Sequence, residues 1–177
     1  MASKFSVDMV TNKNDEFYTP KYAVDPLINY IPSGSTVLCP FDTTESLIVR
    51  GLKQHGCFVT NSHLFDGVDF FDINKPDVDF VISNPPYSLK GEVLERLFEW
   101  GVPFAMLLGV VGLFESQRRF EMFRDNPFEV MYLNRRVSYF KDYSDQKPSL
   151  NPPFSSVWIC SNVLPDRMVF EEIIKRV

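Results

Sequence analysis

Val78-Asp79-Phe80-Val81-Ile82-Ser83-Asn84-Pro85-Pro86-Tyr87 is the stretch from which the rest of the chain can be read. Its first half is apolar and β-branched, as in a strand buried inside a parallel sheet. At Asn84 the pattern breaks. Pro85 and Pro86 fix φ and remove two backbone donors, so the carbonyls of the turn are left to face something other than their own chain. In α/β sheets the carboxyl end of a strand is where ligands sit.

The residue types in this turn suit an amino group. The exocyclic amine of a nucleobase is a poor nucleophile, because its lone pair is delocalised into the ring. Two acceptors, the Asn84 side-chain oxygen and the Pro85 carbonyl, can each take one N–H and draw the nitrogen toward a tetrahedral geometry able to attack a methyl group. Tyr87 offers a ring face. A base inside a duplex cannot reach such a turn, so the target must be flipped out or single-stranded. A second Asn-Pro-Pro, Asn151-Pro152-Pro153-Phe154, precedes its apolar run Val157-Trp158-Ile159-Cys160 rather than following one. It reads as a loop.

Strands and helices alternate outward from the turn. Thr36 to Phe41 reads as a buried strand, with Thr43 or Thr44 capping a helix whose Leu47, Ile48 and Leu52 face a sheet until Gly56 stops it. Cys57 to Leu64 follows as a strand, Glu92 to Trp100 as a helix, Pro103 to Leu108 as a strand without charge, Ser116 to Arg124 as a helix and Val130 to Leu133 as a strand. Val137 to Phe140 and Val157 to Cys160 complete the set as an antiparallel pair. The expected fold is α/β, Rossmann-like, with a mostly parallel sheet closed by a carboxyl-terminal antiparallel hairpin.

At 177 residues and 45% hydrophobic content the chain can bury one core, so residues 1–177 are expected to form a single domain. No apolar run approaches the ~20 residues of a bilayer span, and no secretion signal opens the chain, which points to a soluble cytoplasmic protein without membrane contact. Cys39, Cys57 and Cys160 lack metal-ligand spacing and read as packed, reduced thiols; no metal site is expected. The net charge of −5 argues mildly against a dedicated nucleic-acid binder. Yet Arg118, Arg119, Arg124, Arg135, Arg136, Lys141 and Lys147 gather in the carboxyl-terminal half, either as one basic face or as cations paired with Glu121, Asp125 and Glu129.

Glu16-Phe17-Tyr18-Thr19-Pro20, Val37-Leu38-Cys39-Pro40-Phe41-Asp42, Gly67-Val68-Asp69-Phe70-Phe71, the proline turn and Arg136-Val137-Ser138-Tyr139-Phe140 occur in an order that resembles the S-adenosylmethionine-dependent adenine-N6 DNA methyltransferases. The small methyltransferase-like proteins of bacteriophages and prophages are the nearer likeness, which covers most of the chain. The resemblance implies a class I methyltransferase fold, S-adenosylmethionine as cofactor and DNA as partner. It implies catalytic roles for Asn84, Pro85, Pro86 and Tyr87, and closure of Phe17, Tyr18, Thr19 and Pro20 over the methionine moiety. Cys39, Pro40, Phe41, Asp42 and Thr43 would meet the cofactor, with Asp42 on its amino group. His63 or Ser62 would meet the ribose, and Asp69 and Phe70 the adenine. Arg136, Tyr139 and Phe140 would back the flipped base, one of the two rings stacking on it.

Simpler roles exist for several of these residues. Thr19 can cap a helix that begins at Pro20, with Pro26 kinking or restarting it; His63 can be a loop histidine and Asp69 a turn aspartate. The chain also departs from the broader family, which has an acidic residue where Cys39 stands and glycines where Thr43 to Glu45 stand. Side chains there crowd a ligand that glycine would admit.

Methyl transfer from a sulfonium needs alignment more than acid-base chemistry. The chain accordingly offers no Ser-His-Asp set and no phosphate-cradling glycine loop. A cytosine C5 mechanism would need a Pro-Cys nucleophile, and only Cys39-Pro40 is present; cytosine N4 stays open. No separate target-recognition domain fits between Asp72 and Asn84, so specificity is expected to be short, relaxed, or supplied by a second copy or a protein partner. Two other functions remain: a catalytically decayed fold acting as a phage-encoded inhibitor of a host defence nuclease or methyltransferase, and methylation of RNA or a protein amide.

Overall fold

The computed structural model describes residues 18–140 and 154–175. Phe17, the second Asn-Pro-Pro at 151–153, Lys141 and Lys147 lie outside the described residues. Among the described residues seven strands form one sheet: β1 (Thr36–Cys39), β2 (Phe58–Asn61), β3 (Phe80–Ser83), β4 (Phe104–Gly109), β5 (Glu129–Leu133), β6 (Ser156–Ser161) and β7 (Met168–Glu171). Their order is β2-β1-β3-β4-β6-β5-β7. Among the described residues four helices accompany them: α1 (Lys21–Ile28), α2 (Leu47–Gln54), α3 (Lys90–Trp100) and α4 (Gln117–Asp125).

Burial follows position in the sheet. The inner strands β4 and β6 are buried along their whole length, whereas the edge strands β2 and β7 alternate exposed and half-buried residues. Two covered faces demand apolar side chains at every position, and an edge does not. β1, β2, β3 and β4 pair in parallel, and so do β5 and β7. Only β6 runs the other way, inserted between β4 and β5 and antiparallel to both. The mostly parallel Rossmann-like sheet and its antiparallel pair are therefore present. The pair is made by β5 and β6, however, and not by Val137 to Phe140. That segment makes one antiparallel bridge, between Phe140 and Tyr18, outside the named strands.

Local chemistry sets the helix ends. Thr43 and Thr44 do not cap α2; the chain first turns, with Ser46 N donating to the Thr43 carbonyl, and Ser46 Oγ then accepts from Ile48 N at 3.2 Å. Ser116 Oγ accepts from Arg119 N at 3.1 Å and caps α4. α1 begins directly after Pro20 and runs through Pro26 without restarting. The lost N–H of Pro26 costs one bond near the end of a short helix, and the burial of Ala23, Val24, Leu27 and Ile28 holds the rest in place. α1 lies close to α2 at Gly51, where a Cβ would stand 3.0 Å from the Ile28 side chain. It is also tied to the sheet by Trp158, fully buried on β6, whose indole N–H donates to the Ala23 carbonyl at 2.9 Å.

Glu129 is a partner for the backbone rather than for an arginine. Its buried carboxylate, at the start of β5, accepts from Asn162 N (3.0 Å), Val163 N (2.8 Å) and Leu164 N (2.8 Å). These are the amides of the turn between β6 and β7, in which Asn162 takes the left-handed conformation with φ 56°. The contact lets β6 end and β7 return to the far side of β5. Glu129→Ala would leave buried amides unsatisfied and should lower unfolding stability by roughly 2–4 kcal/mol. Glu129→Gln should lose less. Urea denaturation of the three proteins measures both.

Candidate active site

Strand order reverses at β1, which has β2 on one side and β3 on the other. Loops leaving neighbouring strands at such a point diverge and open a crevice. Pro40 to Ser46 leaves β1 here, and Asn84 to Tyr87 leaves β3.

Asp42 lies between the two. It is 6% exposed, and its carboxylate accepts from Ser46 Oγ at 2.6 Å, from Ser83 Oγ and from the Asn84 backbone N–H. Ser83 Oγ in turn accepts from Phe41 N at 3.1 Å. The Asp42 carbonyl accepts from Asn61 Nδ2 at 3.2 Å, which brings in the end of β2. The carboxylate thus points into the protein and not toward the crevice. Burial raises its pKa to about 6, while the hydrogen bonds from Ser46, Ser83 and Asn84 limit the rise.

Asn84 is held at both ends. Its backbone amide is bound by Asp42, and its side-chain Nδ2 donates to Thr19 Oγ1 at 3.0 Å. Thr19, 1% exposed, therefore orients the amide and does not cap α1, for which Pro20 provides no side-chain bond. With Nδ2 so placed, the buried Oδ1 is the acceptor end of the group. The Pro86 carbonyl accepts from Leu89 N at 3.1 Å, which starts the short 3-10 turn Tyr87–Leu89 and leads straight into α3.

Tyr87 is 8% exposed. Its hydroxyl donates to that of Tyr139 at 2.6 Å, and Tyr139 meets Ser156 Oγ at 2.7 Å. Tyr139, expected as a stacking ring, is fully buried and stands edge-on behind Tyr87 at 6.2 Å. Burial pushes its phenol well above the ordinary tyrosine value, so it stays neutral. Phe154 packs edge-on to Tyr87 at 5.3 Å, and the Lys90 ammonium lies 5.7 Å from the centre of the Tyr87 ring. Phe140 is half-buried and pairs through its backbone with Tyr18, at 3.1 and 2.9 Å. The segments around Tyr18-Thr19-Pro20, Asp42, the proline turn and Tyr139-Phe140 are thus joined by hydrogen bonds beyond the carboxyl ends of β1 and β3.

Other expected residues have local partners. Cys39 is fully buried, with its thiol pushed well up by desolvation. Ser62 Oγ donates to the Pro40 carbonyl at 3.4 Å. His63 Nδ1 accepts from Phe65 N at 3.1 Å, and its ring lies 4.4 Å from that of Phe65. Asp69 accepts from Phe71 N at 2.9 Å and caps the 3-10 turn Phe70–Asp72. Phe70 is packed among Phe41 (4.8 Å), Trp100 (5.1 Å) and Phe71 (5.2 Å). Arg118 pairs with Glu95, Arg124 with Asp125, and Arg119 donates to the Gly112 carbonyl. Arg135 and Arg136 are exposed.

S-adenosylmethionine can be tested against this donor set. Its nucleoside half fits: a half-buried Phe41 ring, the Thr43 and Ser62 hydroxyls, His63 and the Asp69 carboxylate are the types an adenine and a ribose require. Its amino-acid half does not fit through Asp42, whose oxygens are bound inside. Among the described residues no group of three or more His, Cys, Asp or Glu could hold a metal ion, and no helix is long and apolar enough to cross a membrane.

Several contributors were not expected from the sequence. Ser83, Ser46, Asn61 and Ser156 act through contacts between distant segments, and nothing local marks them. Lys90 did carry a signal: it lies at helical spacing from Val93, Leu94 and Leu97, a cation on a buried stripe. Its ammonium donates to the carbonyls of Gly109 and Val111.

No protein-family model matches the sequence, and no curated protein matches it. Among solved structures, the chain is similar to one described as a modification subunit of a putative type I restriction enzyme from Vibrio vulnificus YJ016, with a TM-score of 0.59 and 13% identity over 94% of this chain and 49% of that one. The shared fold is a Rossmann-like α/β sheet, mostly parallel with an antiparallel pair. At this identity the likeness concerns the fold alone, and the chain spans about half the length of the modification subunit. Lower likenesses join it to a precorrin-6y C5,15-methyltransferase from Geobacter metallireducens GS-15 (TM-score 0.41, 16% identity, 84% of this chain and 94% of that one). They also join it to a release-factor-specific protein-(glutamine-N5) methyltransferase from Alicyclobacillus acidocaldarius subsp. acidocaldarius DSM 446 (TM-score 0.37, 16% identity, 87% and 96%). At those scores neither likeness bears on function.

The raised pKa of Asp42 has a definite sign in stability. The folded protein holds this proton more tightly than the unfolded chain, so the carboxyl favours folding most below about pH 4 and loses that advantage as pH rises through about 6. On lowering pH from about 7.5 to about 4.5, wild type should gain ~2 kcal/mol relative to Asp42→Asn. Paired urea melts at the two pH values measure the difference, and a constant gap would contradict a raised pKa.

Proposed function

We propose that the protein is an S-adenosylmethionine-dependent methyltransferase whose acceptor is the N6 amine of adenine in DNA, presented flipped out or single-stranded. The observation that carries this reading is the double restraint on Asn84, whose backbone is held by Asp42 and whose Nδ2 is held by Thr19. An amide restrained in this way presents its oxygen as a fixed acceptor, and a fixed acceptor is what an amine with a delocalised lone pair needs.

When bound, the cofactor supplies an electrophilic methyl group. Thr43, Ser62, His63, Asp69 and the Phe41 ring are the residues that would hold its nucleoside half. Asn84 Oδ1 and the Pro85 carbonyl accept the two N–H groups of the acceptor amine, the Pro86 carbonyl being taken by Leu89. Tyr87 forms one wall, and Phe140 with Tyr18 another. No side chain is required as a base before attack. Arg136, exposed and four residues before Phe140 in the chain, would meet a phosphate. Specificity is short or relaxed, or supplied by a second copy or a protein partner, and such a reaction belongs in the cytoplasm.

Labelled S-adenosylmethionine should transfer its methyl to adenine-containing oligonucleotides, and Asn84→Ala should reduce the rate by roughly 100-fold or more. Thr19→Val should cost about tenfold, with Thr19→Ser restoring most of it. Absence of transfer to single- or double-stranded DNA, or equal transfer by Asn84→Ala, would sink the proposal. Mass analysis of parallel reactions with cytosine-only DNA, RNA and a glutamine peptide separates the acceptors. Calorimetric silence toward the cofactor would point instead to a binding protein.

A further inference from the structure

We infer that Tyr139 is a positioning residue of the acceptor pocket: it draws the Tyr87 hydroxyl inward, into a buried chain of hydroxyls that ends on the central sheet, and so fixes the Tyr87 ring. The inference rests on reading the proline turn as the transfer site. The chain runs from Tyr87 to Tyr139 at 2.6 Å and from Tyr139 to Ser156 at 2.7 Å. Ser156 is the first residue of β6 and pairs with Gly109 at the end of β4, so the last link belongs to the rigid part of the molecule.

Several features agree with a ring held in place. Gly109 allows the close packing: a Cβ there would come within 3.4 Å of Tyr87 and 3.1 Å of Phe154. Tyr139 and Phe154 both meet Tyr87 edge-on, at interplanar angles of 79° and 74°. Tyr139 has no exposed surface, so its effect on an acceptor must pass through Tyr87. Because burial keeps the Tyr139 phenol protonated, the bond persists through the physiological pH range.

One consequence concerns recognition. With its hydroxyl turned inward, Tyr87 offers an acceptor only ring atoms, and contact with ring atoms tolerates any base. Discrimination between amines then falls to Asn84 and the Pro85 carbonyl, and Tyr87 contributes affinity and alignment.

Binding of a single-stranded oligonucleotide with 2-aminopurine at the target position, read by quenching of its fluorescence, tests the inference without methyl transfer. Tyr139→Phe removes one oxygen and should weaken quenching-detected binding roughly five- to tenfold. Tyr87→Phe should do the same, and the double variant should lose no more than either single one. If transfer is also measured, the loss should fall on KM more than on kcat. Ser156→Ala breaks the chain at its far end without touching a ring and should act in the same direction, which decides the matter should Tyr139→Phe fail to fold. Unchanged binding by the single variants, additive losses in the double one, or no quenching by the wild type would overturn the inference. Quenching without any methyl transfer would count against the proposed activity and leave the positioning role standing.

Discussion

The buried carboxylate of Asp42 is the contact on which the crevice depends. Three strands end at this point and a helix begins there, and each end has polar groups to satisfy. One side chain meets the hydroxyl that caps α2, the last residue of β3 and the first amide of the proline turn, while its own carbonyl takes the amide of Asn61 from β2. Removing a carboxylate from water is costly unless every lone pair finds a donor. Here the donors come from two segments, Ser46 four residues away and Ser83 with Asn84 at the end of β3, 41 residues on, so the cost is met only when both are in place. Asp42 therefore couples the geometry of the loop after β1 to that of Asn84.

This coupling bears on the missing glycines. In a loop of glycines the backbone can approach a ligand, but its shape must be imposed by its surroundings. Pro40 to Ser46 is instead shaped by its own side chains, through the Thr43–Ser46 turn, the Asp42–Ser46 bond and the Ser62–Pro40 bond. The loop is preorganised with the Asp42 carboxylate turned inward, while Glu45 in the same loop pairs with Arg50. For the proposed cofactor this implies a weaker hold on its amino-acid half.

Much of the architecture was legible because it is written in periodicity. The charge-free run of β4, the apolar run before Asn84 and the helix from Glu92 to Trp100 all stand where their patterns put them, to within a residue or two. Misreadings arose where a local rule met a competing partner. Thr19 has the identity and position of a helix cap, yet its hydroxyl serves Asn84. Thr43 and Thr44 precede an apolar stripe, yet the chain turns first and Ser46 takes the role. Glu129 could be assigned to a nearby arginine by sequence distance, whereas three amides beyond β6 claim it. Alternating aromatics from Val137 to Phe140 looked like a strand, but the segment makes a single bridge to Tyr18 and gives the Tyr139 hydroxyl to Tyr87.

The sequence alone determined the class of the fold and the strand that ends in Asn-Pro-Pro-Tyr, because these rest on backbone stereochemistry and burial over a few consecutive residues. Only the tertiary structure decided the direction each polar side chain takes. Asp42 turns inward, Thr19 turns to Asn84 and Tyr139 turns to Tyr87. Those choices depend on donors and acceptors 41, 65 and 52 residues away, which no local pattern records.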